Sequence, residues 1–586
     1  MAESPPKKTH EKTPHVIEPT TPNLNIAVYR SQLEIVENVP IEEYIVGVVA
    51  SEMYSTFKLE ELKAQALAAR TFIFKQMLSK EKLSVPDNAI VTDTEMHQVY
   101  KSKKELKNLW GKQYNDKIKK ESLKMQETSK KELFETMPVP KALASMAIPT
   151  IISQLINLIY NMVDTFFIGR TGDPNKTAGV TLAFTLFMMT VAFSNPFGVG
   201  GGSLMARLIG RGKTEDSKKV SAYSVWGAII IALAYSALVL AFMDPILTLF
   251  GAKDAETLRF AKEYVVPVVV IGDLPIILSA VMSHLLRNVG YSKQASFGLS
   301  MGGVLNIVLD PLFMFVIMDE GSEVLGAAIA TLLSNVASLI YFIIVMSKVS
   351  KTAPVSMSPR AIKGLSKENI RSLYSVGIPS AILTGLFDVA NIFLNALMAD
   401  FGNCQVAAMG IVMKAERLPN AINIGLCQGM LPIVAYNFSS GNRERMNKTI
   451  NAARVCGLSV AAISIVIFEL LAEPVSKLFM STESGNVEAA LATVGFSAIF
   501  LRIRCLASPV QFLNYHTSFC MQAMGDGKDT LIHAIFRELV FYIPFMFLLK
   551  TFFGENGLAA ALVLGEAFGA LTAIILYTRW KKKIAQ

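Results

Sequence analysis

Four polar side chains set inside long apolar stretches carry the strongest chemical signal in this sequence: Asp164, Asn306, Asp310 and Thr331. A carboxylate near mid-bilayer costs about 2.5–3.5 kcal/mol on insertion scales, so a chain that keeps one there generally uses it. Asn306 and Asp310 are four residues apart, which places them on one face of a helix. Asp164 lies near the end of one apolar stretch and Thr331 about three turns into another, so all four fall at a similar depth. Two carboxylates with an amide and a hydroxyl oxygen suit either coordination of Na⁺ or a shared proton, because like charges in a low dielectric resist ionising together. The plainer alternative is that Asp164 and Asp310, the latter followed by Pro311, bend or cap helices where bundles meet. Pro149, fifteen residues before Asp164, removes a backbone hydrogen bond and permits a bend in the same stretch.

Such side chains need membrane-crossing helices to hold them. Of 586 residues, 52% are hydrophobic and 18% charged, but the averages hide a break. Residues 1–125 are polar and Lys/Glu-rich, whereas from Met137 onward the apolar stretches are too many for one soluble core. Windows of about 18 or more apolar residues give twelve candidate helices, from 141–168 to 556–578. Asn306 and Asp310 fall in 296–318 and Thr331 in 322–346. The net charge of +9 does not describe a nucleic-acid-binding face, because the bases sit in alternate short connections. Arg207, Arg211, Lys213, Lys218 and Lys219 occupy one, Arg287 and Lys293 the next, and Arg443, Arg445 and Lys448 a later one. The other connections, such as 319–323, are short and more acidic. The positive-inside rule then puts both termini in the cytoplasm, as an even number of spans requires. Residues 1–30 contain no apolar core of a signal peptide. The five cysteines lack metal-ligand spacing and read as unpaired thiols.

The organisation expected is a disordered tail (1–25), a soluble α/β segment (26–120), a linker (121–136), one six-helix lobe (137–348), a hydrophilic connection (349–368) and a second lobe (369–586). The lobes look duplicated. Placing Ile148-Pro149 on Ile378-Pro379 also aligns Ile152 with Ile382, Asn161 with Asn391, Gly172 with Gly402 and Ala178 with Ala408, without a gap. Alternating-access transporters are built from such repeats, with the substrate path between them.

The runs Asn161-Met-Val-Asp-Thr-Phe-Phe-Ile-Gly-Arg170, Phe197-Gly-Val-Gly-Gly-Gly-Ser203, Gly303-Val-Leu-Asn-Ile-Val-Leu-Asp-Pro311 and Leu431-Pro-Ile-Val-Ala-Tyr-Asn437 resemble the MATE family, nearest its MepA-like multidrug exporters, over about 130–586. The resemblance implies efflux of amphipathic, often cationic drugs coupled to H⁺ or Na⁺, with no organic cofactor, by a monomeric protein of the cytoplasmic membrane. It also implies that Asp164, Asn306, Asp310 and Thr331 form the cation site and that Pro149 reshapes the first helix. Asp388 resembles an acid that some members use in their second lobe, but the partner acid on the tenth helix is replaced by Gln511 and Asn514. Asp388 therefore reads as a contact for cationic substrate or a partner of Lys414 or Arg417. Glu416, between those bases, reads as a further contact for substrate or cation or as their structural partner, and Glu566 is expected to pair with Arg537. The stripe Phe184, Phe187, Met188 and Met189 suits an adaptable cavity or simple packing. A lipid-linked-oligosaccharide flippase of the same superfamily is the alternative transporter; twelve helices and an acidic first lobe favour the exporter.

Ahead of this part, strands are expected at 26–29 and near 31–36, followed by helices at 41–51 and 59–78. Val39-Pro-Ile-Glu-Glu-Tyr44, Val48-Val-Ala-Ser-Glu-Met53 and Leu62-Lys-Ala-Gln-Ala-Leu-Ala-Ala-Arg-Thr71 resemble the N-terminal part of stage II sporulation protein D, a lytic transglycosylase. The resemblance puts Glu52 at the catalytic-acid position, where a single carboxylic acid protonates the glycosidic oxygen. It fades near Lys120, carries Tyr54 where the family has proline, and lacks the usual preceding anchor. An inactive fragment, joined to the transporter by a gene fusion, is the expectation; a wall enzyme fused to a transporter is the alternative.

Overall fold

A computed structural model describes residues 25–52, 59–79, 85–86, 88–110, 132–171, 173–252, 254–478 and 487–585. Most of the expected tail, Tyr54 and most of the 121–136 linker lie outside them. The chain divides into two compact units, Met1–Ser129 and Lys130–Gln586.

The smaller unit is built on three strands in the order β2-β1-β3: β1 (Asn25–Arg30) pairs antiparallel with β2 (Ile35–Pro40) and parallel with β3 (Val91–Thr92). The second strand begins later than 31–36 because 31–34 form the turn, closed by Leu33 and Glu34 amides on the Arg30 carbonyl, with Glu34 at φ 55°. Alternate β1 side chains point inward, so Ile26 and Val28 join Val39, Tyr44, Ile45, Val48 and Val91 in the core. Arg30 also points inward and is neutralised by Asp93 at 3.1 Å and Glu105 at 2.5 Å.

The larger unit is all-α, and its long helices follow the apolar stretches. The first lobe contains Val139–Gly169, Asn175–Gly210, Thr214–Ala241, the pair Ala255–Ile271 and Asp273–Asn288 bent by 49°, Ser292–Ile317 and Glu323–Val349. The second contains Lys367–Phe401, Asn403–Ser439, Arg443–Leu478, the pair Glu488–Cys505 and Ser508–Met524 bent by 52°, and the run Gly527–Arg579. That last run has 53 residues, about 80 Å if straight against a hydrocarbon layer of about 30 Å. Gly554 breaks it with φ 59° and ψ −137°, so it is a helical hairpin. With each bent pair taken as one span, twelve spans result among the described residues, in two six-helix lobes.

Prolines loosen several spans without ending them. The second span passes into a π-helical turn at Pro196–Gly200, and the fifth continues through Pro311 into another at Phe313–Ile317. The first span runs unbroken through Pro149.

The lobes meet through reciprocal pairs, the first span on the eighth and the second on the seventh. Backbones approach closely there: a Cβ at Gly429 would lie 2.5 Å from the Ala147 Cα, and one at Gly377 would lie 2.4 Å from the Pro196 carbonyl oxygen. These contacts lie towards the end of the bundle that carries the basic connections. At that end Ser203 Oγ donates to the Gln522 carbonyl at 2.5 Å, and Arg445 Nε and Asn437 Nδ2 both donate to the Phe134 carbonyl, at 2.7 and 3.0 Å. The connection between the lobes lies along the third span, where Ser217, Ser221 and Trp226 bond the carbonyls of Pro354, Ser356 and Met357 at 3.0 Å each.

Gly429→Leu should force the first and eighth spans apart at the basic end. In a cysteine-free background, labelling of a cysteine placed at Ser203 by a membrane-impermeant maleimide should rise several-fold from that side; unchanged labelling would mean that this contact does not close it.

Candidate functional site

Three of the four polar residues singled out in the sequence touch one another. Asn306 and Asp310 lie on the fifth span, one helical turn apart, and the Asn306 amide donates to Asp310 Oδ1 at 2.8 Å and to Thr331 Oγ1 of the sixth span at 3.2 Å. All three side chains are buried. Asp164, half-buried on the first span, is joined to them by Tyr264 of the fourth, whose hydroxyl donates to Asp164 Oδ2 over a long 3.4 Å and also interacts with Thr331. The two carboxylates are close enough to repel each other when ionised. Asp164 Oδ1, Asn306 Oδ1 and Asp310 Oδ2 are buried without a hydrogen-bond partner among the described residues. Buried oxygens normally have partners, so three orphans in one network joined through Asn306 and Tyr264, with no ion pair to a Lys or Arg among the described residues, make a pocket suited to a proton or a hard cation. Tyr160, which senses both carboxylates, and Tyr264 were not singled out in the sequence. Nothing in their spacing separates a tyrosine that serves a carboxylate from one that packs.

Two cavities flank this pocket. The larger, of about 490 Å³, lies between the lobes and is lined at one end by Tyr160, Asn306 and Thr331 and towards the basic end by His284, Arg287 and Gln522. Its size falls in the range of cavities that take drug-sized molecules, about 300–1,000 Å³. Two bonds between side chains cross between the lobes among its lining residues, Gln154 Nε2 to Gln428 Oε1 at 3.1 Å and Asn195 Nδ2 to Thr384 Oγ1 at 3.1 Å, and Asn195 Nδ2 also reaches the Ser380 carbonyl at 3.5 Å. The smaller, of about 310 Å³, is lined by Asn161, Asp164, Thr165 and Phe184 of the first lobe and by Lys414 and Arg417 of the second. The aromatic stripe of the second span is divided, with Phe187 in the central cavity, Phe184 in the smaller one, and Met189 exposed on the span's outer face.

The MatE family model matches residues 149–312 and 379–548, one segment in each lobe, and together these make up more than half of the chain. The chain belongs to the MATE family. The multidrug export protein MepA of Staphylococcus aureus (strain MRSA252) is 30% identical over 444 residues, covering 76% of this chain and 94% of that protein. MepA of Staphylococcus saprophyticus is 28% identical over 443 residues. Among solved structures, an outward-facing multidrug resistance MATE transporter of the MOP superfamily superposes with a TM-score of 0.70 at 25% identity, over 78% of this chain and 97% of that one. A MATE in complex with MaL6 gives 0.71 at the same identity. Residues 29–133 match the model for stage II sporulation protein. There Glu52 is exposed, and its carboxylate accepts the Val99 amide at 3.0 Å and the Gln65 side chain.

In the second lobe of this MATE protein the acids are placed differently. Glu416 is not paired with its neighbours Lys414 and Arg417; Arg504 of the tenth span holds it in a two-pronged pair at 2.9 and 2.8 Å. It is thereby removed as a free contact for substrate. Glu566 pairs with Arg537 as the sequence indicated, at 2.9 and 2.5 Å, and also accepts from Asn514 at 2.6 Å. Asn514, at the place of the missing tenth-helix acid, thus belongs to a closed ion-pair network. Asp388 is half-buried and feels Arg417, but forms no ion pair among the described residues. Further buried charges went unnoticed in the sequence, among them Asp273 and Arg287. Asp273, at the bend of the fourth span, has both carboxylate oxygens without a hydrogen-bond partner among the described residues. Arg287, expected in a solvated basic connection, is 2% exposed in the cavity lining. The rule that found Asp164 and Asp310 applies equally to Asp273, an acid within an apolar stretch; Arg287 looked like one more loop base.

Glu416→Gln leaves the Arg504 guanidinium buried without its counter-charge, and loss of one partner of such a pair costs about 3–5 kcal/mol. Thermal unfolding in detergent should fall sharply for this variant and much less for Asp388→Asn; equal effects would remove the distinction drawn between the two acids.

Proposed function

We propose that this chain is a cation-coupled antiporter that exports amphipathic drugs by alternating access, with Asp164, Asn306, Asp310 and Thr331 as the coupling site. The observation that carries the proposal is the set of three buried, unpartnered oxygens on Asp164, Asn306 and Asp310. A proton would turn one carboxylate into a donor for its neighbour, and Na⁺ would take the same oxygens as ligands. No organic cofactor is needed, and a monomer suffices because both lobes come from one chain. The positive-inside rule assigns the basic end and both termini to the cytoplasm. With the lobes packed together at that end, this is the outward-facing form, in which the coupling site would load from outside as drug leaves. Reloading of the inward-facing form with drug would then displace the cation. Cationic drugs, the class that the family resemblance suggests, would find acids at the coupling site and at Asp388.

The N-terminal unit is proposed to be an inactive remnant. On the cytoplasmic side it would be separated from peptidoglycan, and the carboxyl of Glu52 is exposed rather than enclosed in the apolar setting that a general acid needs.

Ethidium efflux from proteoliposomes under an imposed pH or Na⁺ gradient tests the transporter. The full chain and a version of residues 130–586 should transport alike under one of the gradients. Asp310→Asn should abolish gradient-driven transport while protein still inserts; normal transport by that variant would dismiss the coupling site. Purified full chain should release no muropeptides from peptidoglycan. Release that disappears in Glu52→Gln would instead make the unit an enzyme.

A further inference from the structure

The central cavity is charged in the sense opposite to the coupling pocket. None of its lining side chains among the described residues is a carboxylate, and its two full charges are the guanidinium groups of Arg287 and Arg537. These are not equivalent. Arg537 is neutralised by Glu566, with Glu538 3.5 Å from the same group. Among the described residues Arg287 forms no ion pair, and its Nε and Nη2 are buried with no hydrogen-bond partner. His284, one turn earlier on the same span, presents a second nitrogen-bearing side chain to the cavity, and Gln522 faces it from the second lobe.

A guanidinium removed from water needs a planar acceptor with two oxygens, and two of its N–H groups remain free on one edge. The rest of the lining supplies what an amphiphile requires. Phe187, Ile276, Leu299, Phe387 and Phe519 give apolar walls, and the volume of about 490 Å³ accommodates a drug-sized body.

We propose that the central cavity is a binding site for an amphipathic anion whose carboxylate or phosphate-type headgroup docks on Arg287. This inference rests on the proposed reading of the chain as an exporter of amphiphiles, and it adds an anionic class, held in the central cavity, beside the cationic drugs that would find acids elsewhere. It places recognition of the anion at the basic end of the cavity and leaves the acids of the first lobe to the coupling cation.

The test is equilibrium binding of three fluorescent compounds of one shape to the purified full chain in phosphatidylcholine nanodiscs: 9-anthracenecarboxylate, its neutral carboxamide and 9-anthracenemethylammonium. No gradient is present, so a failed coupling site and a failed anion site give separate results. Wild-type protein should bind the carboxylate about tenfold or more tightly than the amide, the scale of a hydrogen bond to a charged group, and should bind the ammonium most weakly. Arg287→Gln should reduce the carboxylate to the affinity of the amide and leave the amide unchanged, which also shows that the cavity is intact. Arg287→Lys, which keeps the charge but loses the fork, should fall between them and serves if the glutamine variant does not fold. Equal binding of all three by wild type, a preference for the ammonium, or a carboxylate preference that survives both substitutions would overturn the proposal. Adding phosphatidylglycerol to the discs separates the sources of the anion. Competitive weakening seen only when Arg287 is present identifies a lipid phosphodiester as the occupant, and no weakening identifies a soluble amphiphile.

Discussion

A charge inside the hydrocarbon layer must find a counter-charge or give up ionisation, and the two lobes meet this constraint in opposite ways. In the second lobe two deeply placed acids each have an arginine: Glu416 with Arg504, and Glu566 with Arg537. Breaking such a pair is costly, so these groups stay together and fix the packing of the eighth, tenth, eleventh and twelfth spans. In the first lobe Asp164, Asp310 and Asp273 form no ion pair among the described residues, and each retains at least one oxygen without a hydrogen-bond partner there. That difference, between halves built on one repeated pattern, leaves open carboxylates in the first lobe and closed ion pairs in the second.

The repeat is visible in how the lobes touch. The register that places Ile148 on Ile378 also places Gln154 on Thr384, and these are the residues that make the two amide bonds across the central cavity. Their partners, Gln428 and Asn195, match within about one helical turn under the same register. Each lobe thus offers one hydrogen-bonding side chain from its first helix to the second helix of the other. Two weak, symmetrical polar contacts suit an interface that must open and reclose. The close packing at Gly429 and Gly377 supplies the shape complementarity that holds it shut in this form.

The fold was legible because hydrophobic periodicity and length report spans directly, and the twelve apolar stretches all reappear. The acids of the first lobe's polar pocket were legible for the same reason, since an acid in an apolar stretch stands out against its surroundings. What escaped were residues whose meaning depends on direction. Arg287 and Arg207 looked like ordinary members of basic connections, yet both are buried, because the helices that carry them turn those faces inward. Glu416 had two bases beside it in sequence but found its partner 88 residues away, a pairing that only tertiary packing decides. In the small unit, β2 began later than expected because Ser31–Glu34 are taken up by the turn. Alternation of side chains alone does not mark where a turn ends.

The fourth span joins the carboxylate pocket to the central cavity. Its first arm, Ala255–Ile271, carries Tyr264, the hydroxyl that holds Asp164 and reaches Thr331. Its second arm, Asp273–Asn288, carries His284 and Arg287 into the central cavity, and the two arms meet at a 49° bend beside Asp273. On the proposed reading, a cation at Asp164 and Asp310 would compete with the tyrosine for the same oxygens and so alter what the first arm can hold. Asn306 and Thr331 stand in the cavity wall and in the carboxylate network at once. Two sites that share wall residues and one hinged helix influence each other without any long relay, because each favours a different arrangement of the same few side chains.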